Sequence, residues 1–131
     1  MKKGIPISIE DGFKKVKFLD NRAPESSDED KKDAFANLSE YRDGAIFIAH
    51  SAGNTEWERH SKGDEIVFVL EGETNLILLV QGEEKLNNLK VDELLVVPQN
   101  IWHRFETPKG AKVLTVTPLP TDHSIEYPKD A

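Results

Sequence analysis

The sequence predicts an all-β domain, an antiparallel sandwich or barrel. From residue 44 onward, short runs rich in Val, Ile, Leu and Phe recur at a spacing of roughly ten residues. Turn formers separate them, at Gly53-Asn54, Lys62-Gly63-Asp64, Gly72, Gly82, Pro98-Gln99-Asn100 and Pro108-Lys109-Gly110. Many short strands with tight turns belong to sandwiches and barrels rather than to βαβ folds.

Ahead of that region, Ile5, Ile7 and Ile9 alternate with Pro6, Ser8 and Glu10, the pattern of a short edge strand. Phe13, Val16 and Phe18 predict another extended segment. Residues 24–33 are polar and read as an exposed loop, with Ser27 capping a short helix that runs to about residue 38 and turns Ala34, Phe35 and Leu38 inward. The predicted strands then follow at 45–51, 56–61, 65–71, 74–81, 85–89, 93–97, 101–107 and 112–118. No repeat or linker divides the chain. It reads as one domain, with residues 1–43 an extension packed on a barrel of residues 44–120, and 121–131 a tail.

Residues 66–70, 76–80 and 94–97 are apolar at successive positions, so both faces of those strands need cover. A barrel interior covers one face. The other must meet the extension, a second subunit or both, and a homodimer is predicted.

The chain of 131 residues, 37% hydrophobic and 31% charged, suits one soluble core. Its longest apolar run, 76–80, is far too short to span a bilayer, and charge interrupts everything after the basic start Met1-Lys2-Lys3. With no cysteine, any metal must be held by nitrogen and oxygen. These features predict a cytoplasmic protein without membrane contact. A net charge of −7, with scattered basic residues, argues against a nucleic-acid surface.

Chemistry concentrates in two stretches, W-E-R-H-S-K-G-D-E from Trp57 and W-H-R-F from Trp102. Strand alternation puts Glu58 and His60 on one face, with Trp57 and Arg59 on the other. If 61–64 is a hairpin connection, Glu65 returns beside His60, and the three side chains converge. His103 shares a face with Ile101 and Phe105, opposite Trp102, Arg104 and Glu106. A strand histidine among apolar neighbours is more often a satisfied core residue than a ligand, and turn-flanking glutamates are usually solvated. Spacing alone leaves open whether His103 joins the others. Trp57 and Trp102 are expected under the extension or in a subunit interface. His50 is expected to line the barrel or its rim, and His123 to lie in solvent or over the barrel mouth. Arg59 and Arg104 occupy like positions and are expected to pair with Glu56 or Glu106.

Residues 53–118 resemble a cupin, the small jelly-roll barrel or double-stranded β-helix. The first motif of that family, G-x5-H-x-H-x3,4-E-x6-G, is matched by Gly53 or its neighbours, Glu58, His60, Glu65 and Gly72. The second, G-x5-P-x-G-x2-H-x3-N, is matched by Asp92, Pro98, Asn100, His103 and Thr107. Asp92 and Asn100 stand where the family has glycine, and both tolerate left-handed geometry in a turn. Glu58 replaces a histidine and Thr107 an asparagine.

The resemblance implies a cupin β-barrel that binds a small molecule and a divalent metal cation (Mn, Fe, Ni or Zn) through His60, Glu65 and His103. Glu58 is then a fourth ligand, or a general base beside a two-His-one-carboxylate set with open positions. Oxygenase, isomerase or decarboxylase chemistry on a small oxygen-rich substrate would follow. The rival is a non-catalytic binding or sensor cupin, with Glu58 marking a degenerate metal site. Val67, Val69, Ile101 and Phe105 are expected to line the cavity.

Overall fold

The computed structural model describes residues 3–128. Met1-Lys2, in the basic start, and 129–131, the end of the predicted tail, lie outside the described residues. The protein is a β-barrel of two sheets joined through two long strands. Its elements are α1 (Ile9–Lys14), β1 (Leu19–Arg22), α2 (Asp28–Lys31), a 3-10 turn (Lys32–Ala34), β2 (Phe35–Tyr41), β3 (Gly44–Asn54), β4 (Trp57–His60), β5 (Glu65–Val80), β6 (Glu83–Lys90), β7 (Leu94–Val97), β8 (His103–Pro118) and β9 (Thr121–Ser124).

The long strands β5 and β8 serve both sheets. The first half of β5 pairs with β7 and with the second half of β8, as in Ile66↔Val96 and Ile66↔Val116. That half of β8 pairs in turn with β3, and β3 with β2. The second half of β5 pairs with β6 and with the first half of β8, as in Leu78↔His103. There β8 meets β4, and β4 meets β9. One sheet thus runs β2-β3-β8-β5-β7 and the other β9-β4-β8-β5-β6. Between them lies a core of Val67, Val69, Leu76, Leu78, Leu89 and Val97.

The sequence divides β5 and β8 each in two. In the structure the chain stays extended through Gly72 and through Pro108-Lys109-Gly110, and the ladder between the two strands shifts register there instead of stopping. These residues are bends in continuous strands, which is how one strand passes from sheet to sheet.

The N-terminal segment differs more. Where the sequence predicts a short edge strand and a further extended segment, Ser8 caps α1 by accepting from the Asp11 N–H at 3.1 Å, with Glu10 and Asp11 favourably placed in the first turn. Ile7, Phe13 and Val16 are thereby turned against Leu38 and Ile48 on the outer face of the first sheet. Ser27 does cap a helix, in a reciprocal capping box with Asp30. That helix ends at Lys31 instead of reaching residue 38, because residues 35–41 form β2 and pair antiparallel with β3.

The outer face of the second sheet holds Trp57, Ile77, Leu79 and Trp102. Both tryptophans point away from the interior, as alternation requires, but not under the N-terminal segment. Arg59 lies over the Trp102 ring at 4.6 Å, Arg104 over Trp57 at 5.2 Å, and Tyr127 meets Trp57 edge-on at 5.7 Å. Arg104 pairs with Glu106 at 2.7 Å as expected, whereas Arg59 takes Asp122 on β9 at 3.1 Å. No helix of the described residues is long and apolar enough to cross a membrane.

Candidate metal centre

Alternation along β4 turns Glu58 and His60 into the barrel. The same rule on β8 turns in His103, Phe105, Thr107, Val113, Thr115 and Thr117, which with Glu65 surround one interior region. Residues 61–64 do not make a hairpin between β4 and β5. They carry the chain from one sheet to the other, so Glu65 faces His60 across the interior. The turn at residues 98–100 braces this crossing: the Gln99 N–H donates to Asp64 at 2.8 Å, Gln99 Nε2 to the Ser61 carbonyl at 2.8 Å, and the Asn100 N–H to the His60 carbonyl at 3.0 Å. Asn100 and Asp92, at the motif's glycine positions, have φ of 67° and 69°, the left-handed geometry that short polar residues accept.

His60, Glu65 and His103 converge, each offering one ligand atom within 4.8 Å of the others, and all three are buried. Glu65 Oε1 lies 3.0 Å from His103 Nε2, and Oε2 lies 3.3 Å from His60 Nε2. The far side of each group is tied down. His103 Nδ1 lies 3.0 Å from the Ile101 carbonyl, and His60 Nδ1 lies 3.0 Å from Thr121 Oγ1 on β9. Thr117 donates to Glu65 Oε2 at 2.7 Å and stands 2.9 Å from Thr115 Oγ1. Such outer contacts fix the direction of ligand atoms.

Burial pushes the Glu65 carboxyl up, but the close approach of the His103 and His60 imidazoles and the charge they carry outweigh it, holding the group at about 2 against an ordinary 4.5. Burial pulls the His103 imidazole down. The Glu65 carboxylate, with smaller help from the Ile101 carbonyl and Glu58, turns this into a net rise.

These near contacts are close but badly aligned: His60 Nε2, Glu65 Oε1 and His103 Nε2 are buried with no partner in hydrogen-bond geometry. A carbonyl only accepts, so His103 Nδ1 carries the proton it shares with Ile101. In the neutral ring, Nε2 then presents a lone pair to a carboxylate oxygen 3.0 Å away. Two lone pairs so placed need a positive centre between them, either a proton or a cation. Two imidazoles and one carboxylate form a donor set that suits divalent Mn, Fe, Ni or Zn.

Glu58 stands outside this cluster. Its Oε2 lies 3.6 Å from His123 Nδ1, and that nitrogen also meets Glu56 at 2.8 Å. β9 thus brings His123 over the mouth of the interior. His50 does not line it, but packs under Phe18 on the outside at 4.7 Å between ring centroids.

The region opens into a cavity of about 370 Å³. Its wall includes Phe35, Phe47, Ala49, Phe105 and Val113, together with Arg22, Lys31 and Glu58. Of the residues expected to line it, Phe105 does. Val67 and Val69 are instead packed in the core cluster, which Phe105 and Val113 join to the cavity, and Ile101 packs against that core too. Arg22, Thr115, Thr117 and Thr121 were not anticipated from sequence. Thr115 and Thr117 left a faint signal, since they are polar and share with His103 the alternation of one strand face. Arg22 left none, because a parallel pairing with Gly53 delivers it.

The family model described as "Cupin domain" matches residues 46–117. An uncharacterised protein of Bacillus subtilis, YdbB, is 33% identical over 75 residues, which are 56% of this chain and 63% of that protein. The fold is similar to a cupin-2 domain protein from Shewanella frigidimarina, with a TM-score of 0.60 and 17% identity over 90% of this chain and 94% of that one. It is also similar to the hydroquinone 1,2-dioxygenase of Sphingomonas sp. TTNP3, solved with 4-hydroxybenzoate bound, with a TM-score of 0.56 and 16% identity over 70% of this chain and 67% of that one.

Proposed function

We propose, from the premise that this chain belongs to the cupin domain family, that it binds a small molecule beside a divalent cation held by His60, Glu65 and His103. The observation that carries this reading is the trio of buried, convergent and unaligned ligand atoms within 4.8 Å. When bound, such an ion supplies Lewis-acid polarisation of a substrate oxygen, a feature usable for oxygenase, isomerase or decarboxylase chemistry. Thr117 and Thr121 hold Glu65 and His60 in position for it. Glu58, turned inward but outside the ligand cluster, is the carboxylate placed to exchange a proton with a molecule in the cavity.

A second reading has its own support. His103 and Glu65 form a pair whose shifts favour imidazolium and carboxylate, so a proton can occupy the place of the ion. The protein would then be a metal-free binding or sensor cupin.

Metal content of the purified protein separates the two. The cation reading expects near-stoichiometric Mn, Fe, Ni or Zn, lost in His103→Ala. Absence of metal, together with a melting temperature unmoved by any of the four ions, would establish the second reading.

We also propose that the biological unit is a homodimer, built on the exposed apolar rows of the first sheet.

A further inference from the structure

We propose that Arg22 is the anion-recognition residue of the cavity, and that the natural ligand is a small carboxylate with an apolar body. The inference rests on the cavity being a small-molecule site, and it names the class of molecule that site selects.

Arg22 reaches the cavity through an unusual connection. β1 runs parallel to the end of β3, with Arg22 opposite Gly53. Adjacent partners in a sheet share a face, and Gly53 belongs to the inward row of β3 with Phe47, Ala49 and Ser51. The approach requires glycine: at φ 115°, any Cβ on Gly53 would run into the Arg22 backbone. A bare backbone at the end of β3 therefore brings a guanidinium to the cavity wall. Arg22 Cζ lies over the Phe35 ring, 4.9 Å from its centre, a cation–π contact that holds the guanidinium at the wall.

The other charges at the mouth are engaged. Glu56 is held by His123 at 2.8 Å and Lys31 at 3.9 Å, and Glu58 lies beside His123. Arg22 makes no ion pair within 4.0 Å among the described residues, and its Nε is buried without a hydrogen-bond partner. Glu58 and Glu56 act on it only from a distance, while burial weighs against its charge. A buried guanidinium Nε without a partner is costly, and a carboxylate bridging Nε and a terminal nitrogen satisfies it with two parallel charge-assisted bonds. The rest of the wall, Phe35, Phe47, Phe105, Ala49 and Val113, takes an apolar body.

The test uses benzoate and its neutral counterpart benzamide as probes, titrated calorimetrically into chelator-treated protein so that neither can coordinate a metal. The wild type is expected to prefer benzoate. Arg22→Gln is expected to weaken benzoate binding by about 10- to 100-fold while leaving benzamide unchanged, and Arg22→Lys to fall between. The proposal is overturned if the wild type fails to discriminate or binds neither probe, or if Arg22→Gln binds benzoate normally or loses both probes alike. Should Arg22→Gln lose its native circular dichroism, the result with the folded Arg22→Lys decides: an unchanged benzoate preference refutes recognition by the guanidinium fork. The metal content of His103→Ala is independent of these outcomes, so the cation reading can fail while the carboxylate preference stands, or the reverse.

Discussion

Glu65 is 6% exposed, and its two oxygens meet His103, His60 and Thr117 at once. Its protonation therefore couples to folding. Its carboxyl titrates lower in the folded chain than in the unfolded one, so the stability it contributes is complete above its ordinary 4.5 and is lost as pH falls toward about 2. His103 is shifted the other way. Its contribution is complete below its ordinary 6.5 and is lost as pH rises through its raised folded value. The two shifts share the contact between Glu65 and His103, to which His60 adds on the Glu65 side. In the presence of a chelator, the urea midpoint is expected to fall on either side of a mildly acidic window, and Glu65→Gln to flatten both flanks. Because a ligating imidazole must be neutral, added Zn²⁺ or Mn²⁺ should stabilise the protein increasingly as pH rises. A metal effect independent of pH would separate His103 from the cation. The four polar positions singled out by the sequence do turn inward, because period-2 alternation depends only on strand assignment. Spacing alone does not say which of them meet, whereas the motif resemblance names His60, Glu65 and His103, the three that do. Glu58 and His60 differ by two residues in one strand, yet only His60 reaches Glu65, and the contact is made between sheets rather than across a turn.

At the scale of the element, β5 and β8 each carry a glycine inside a polar break of the apolar pattern. Gly72 has φ 76°, and a Cβ there would sit 2.5 Å from the Gly110 carbonyl oxygen of the neighbouring strand. The two glycines lie against each other, so the strands bend together and pass from one sheet to the other without losing their pairing. Gly72→Ala is therefore expected to cost about 2–3 kcal/mol, from left-handed strain together with a backbone collision, measurable as a shift in the urea midpoint. A cost near zero would mean that the bend is soft. A sequence shows glycine as a break in hydrophobic pattern and cannot distinguish a turn that reverses the chain from a bend that redirects it, since the distinction lies in the partner strand. The same limit holds at the N-terminus. Ile5, Ile7 and Ile9 alternate as a strand would, but Ser8 accepting the Asp11 N–H started a helix, and one capping bond of about 1 kcal/mol suffices where no sheet edge competes.

At the scale of the molecule, the two outer faces are finished differently. The second sheet's tryptophans are covered by Arg59, Arg104 and Tyr127. On the first sheet, the cluster around Ile48, Leu38 and Val16 covers only the rows near β3. Farther along the same rows, Ile66 pairs with Val96 and Phe68 with Leu94. There Leu94 is 58% exposed and Val96 49%, on a strand whose only partner among the described residues is β5. An uncharged apolar row beside an open strand edge is a surface that a second chain can cover, even on a protein carrying a net charge of −7. A second copy offers the same row in reverse, the self-complementary contact of a two-fold dimer. Sedimentation equilibrium is therefore expected to give twice the 14.8 kDa chain mass at micromolar concentration. Leu94→Lys combined with Val96→Lys is expected to give a folded monomer. Because Arg22, His60, Glu65 and His103 all face the interior of one chain, that monomer should keep its metal content and its preference for benzoate. Loss of either on dissociation would mean that the partner copy completes the site.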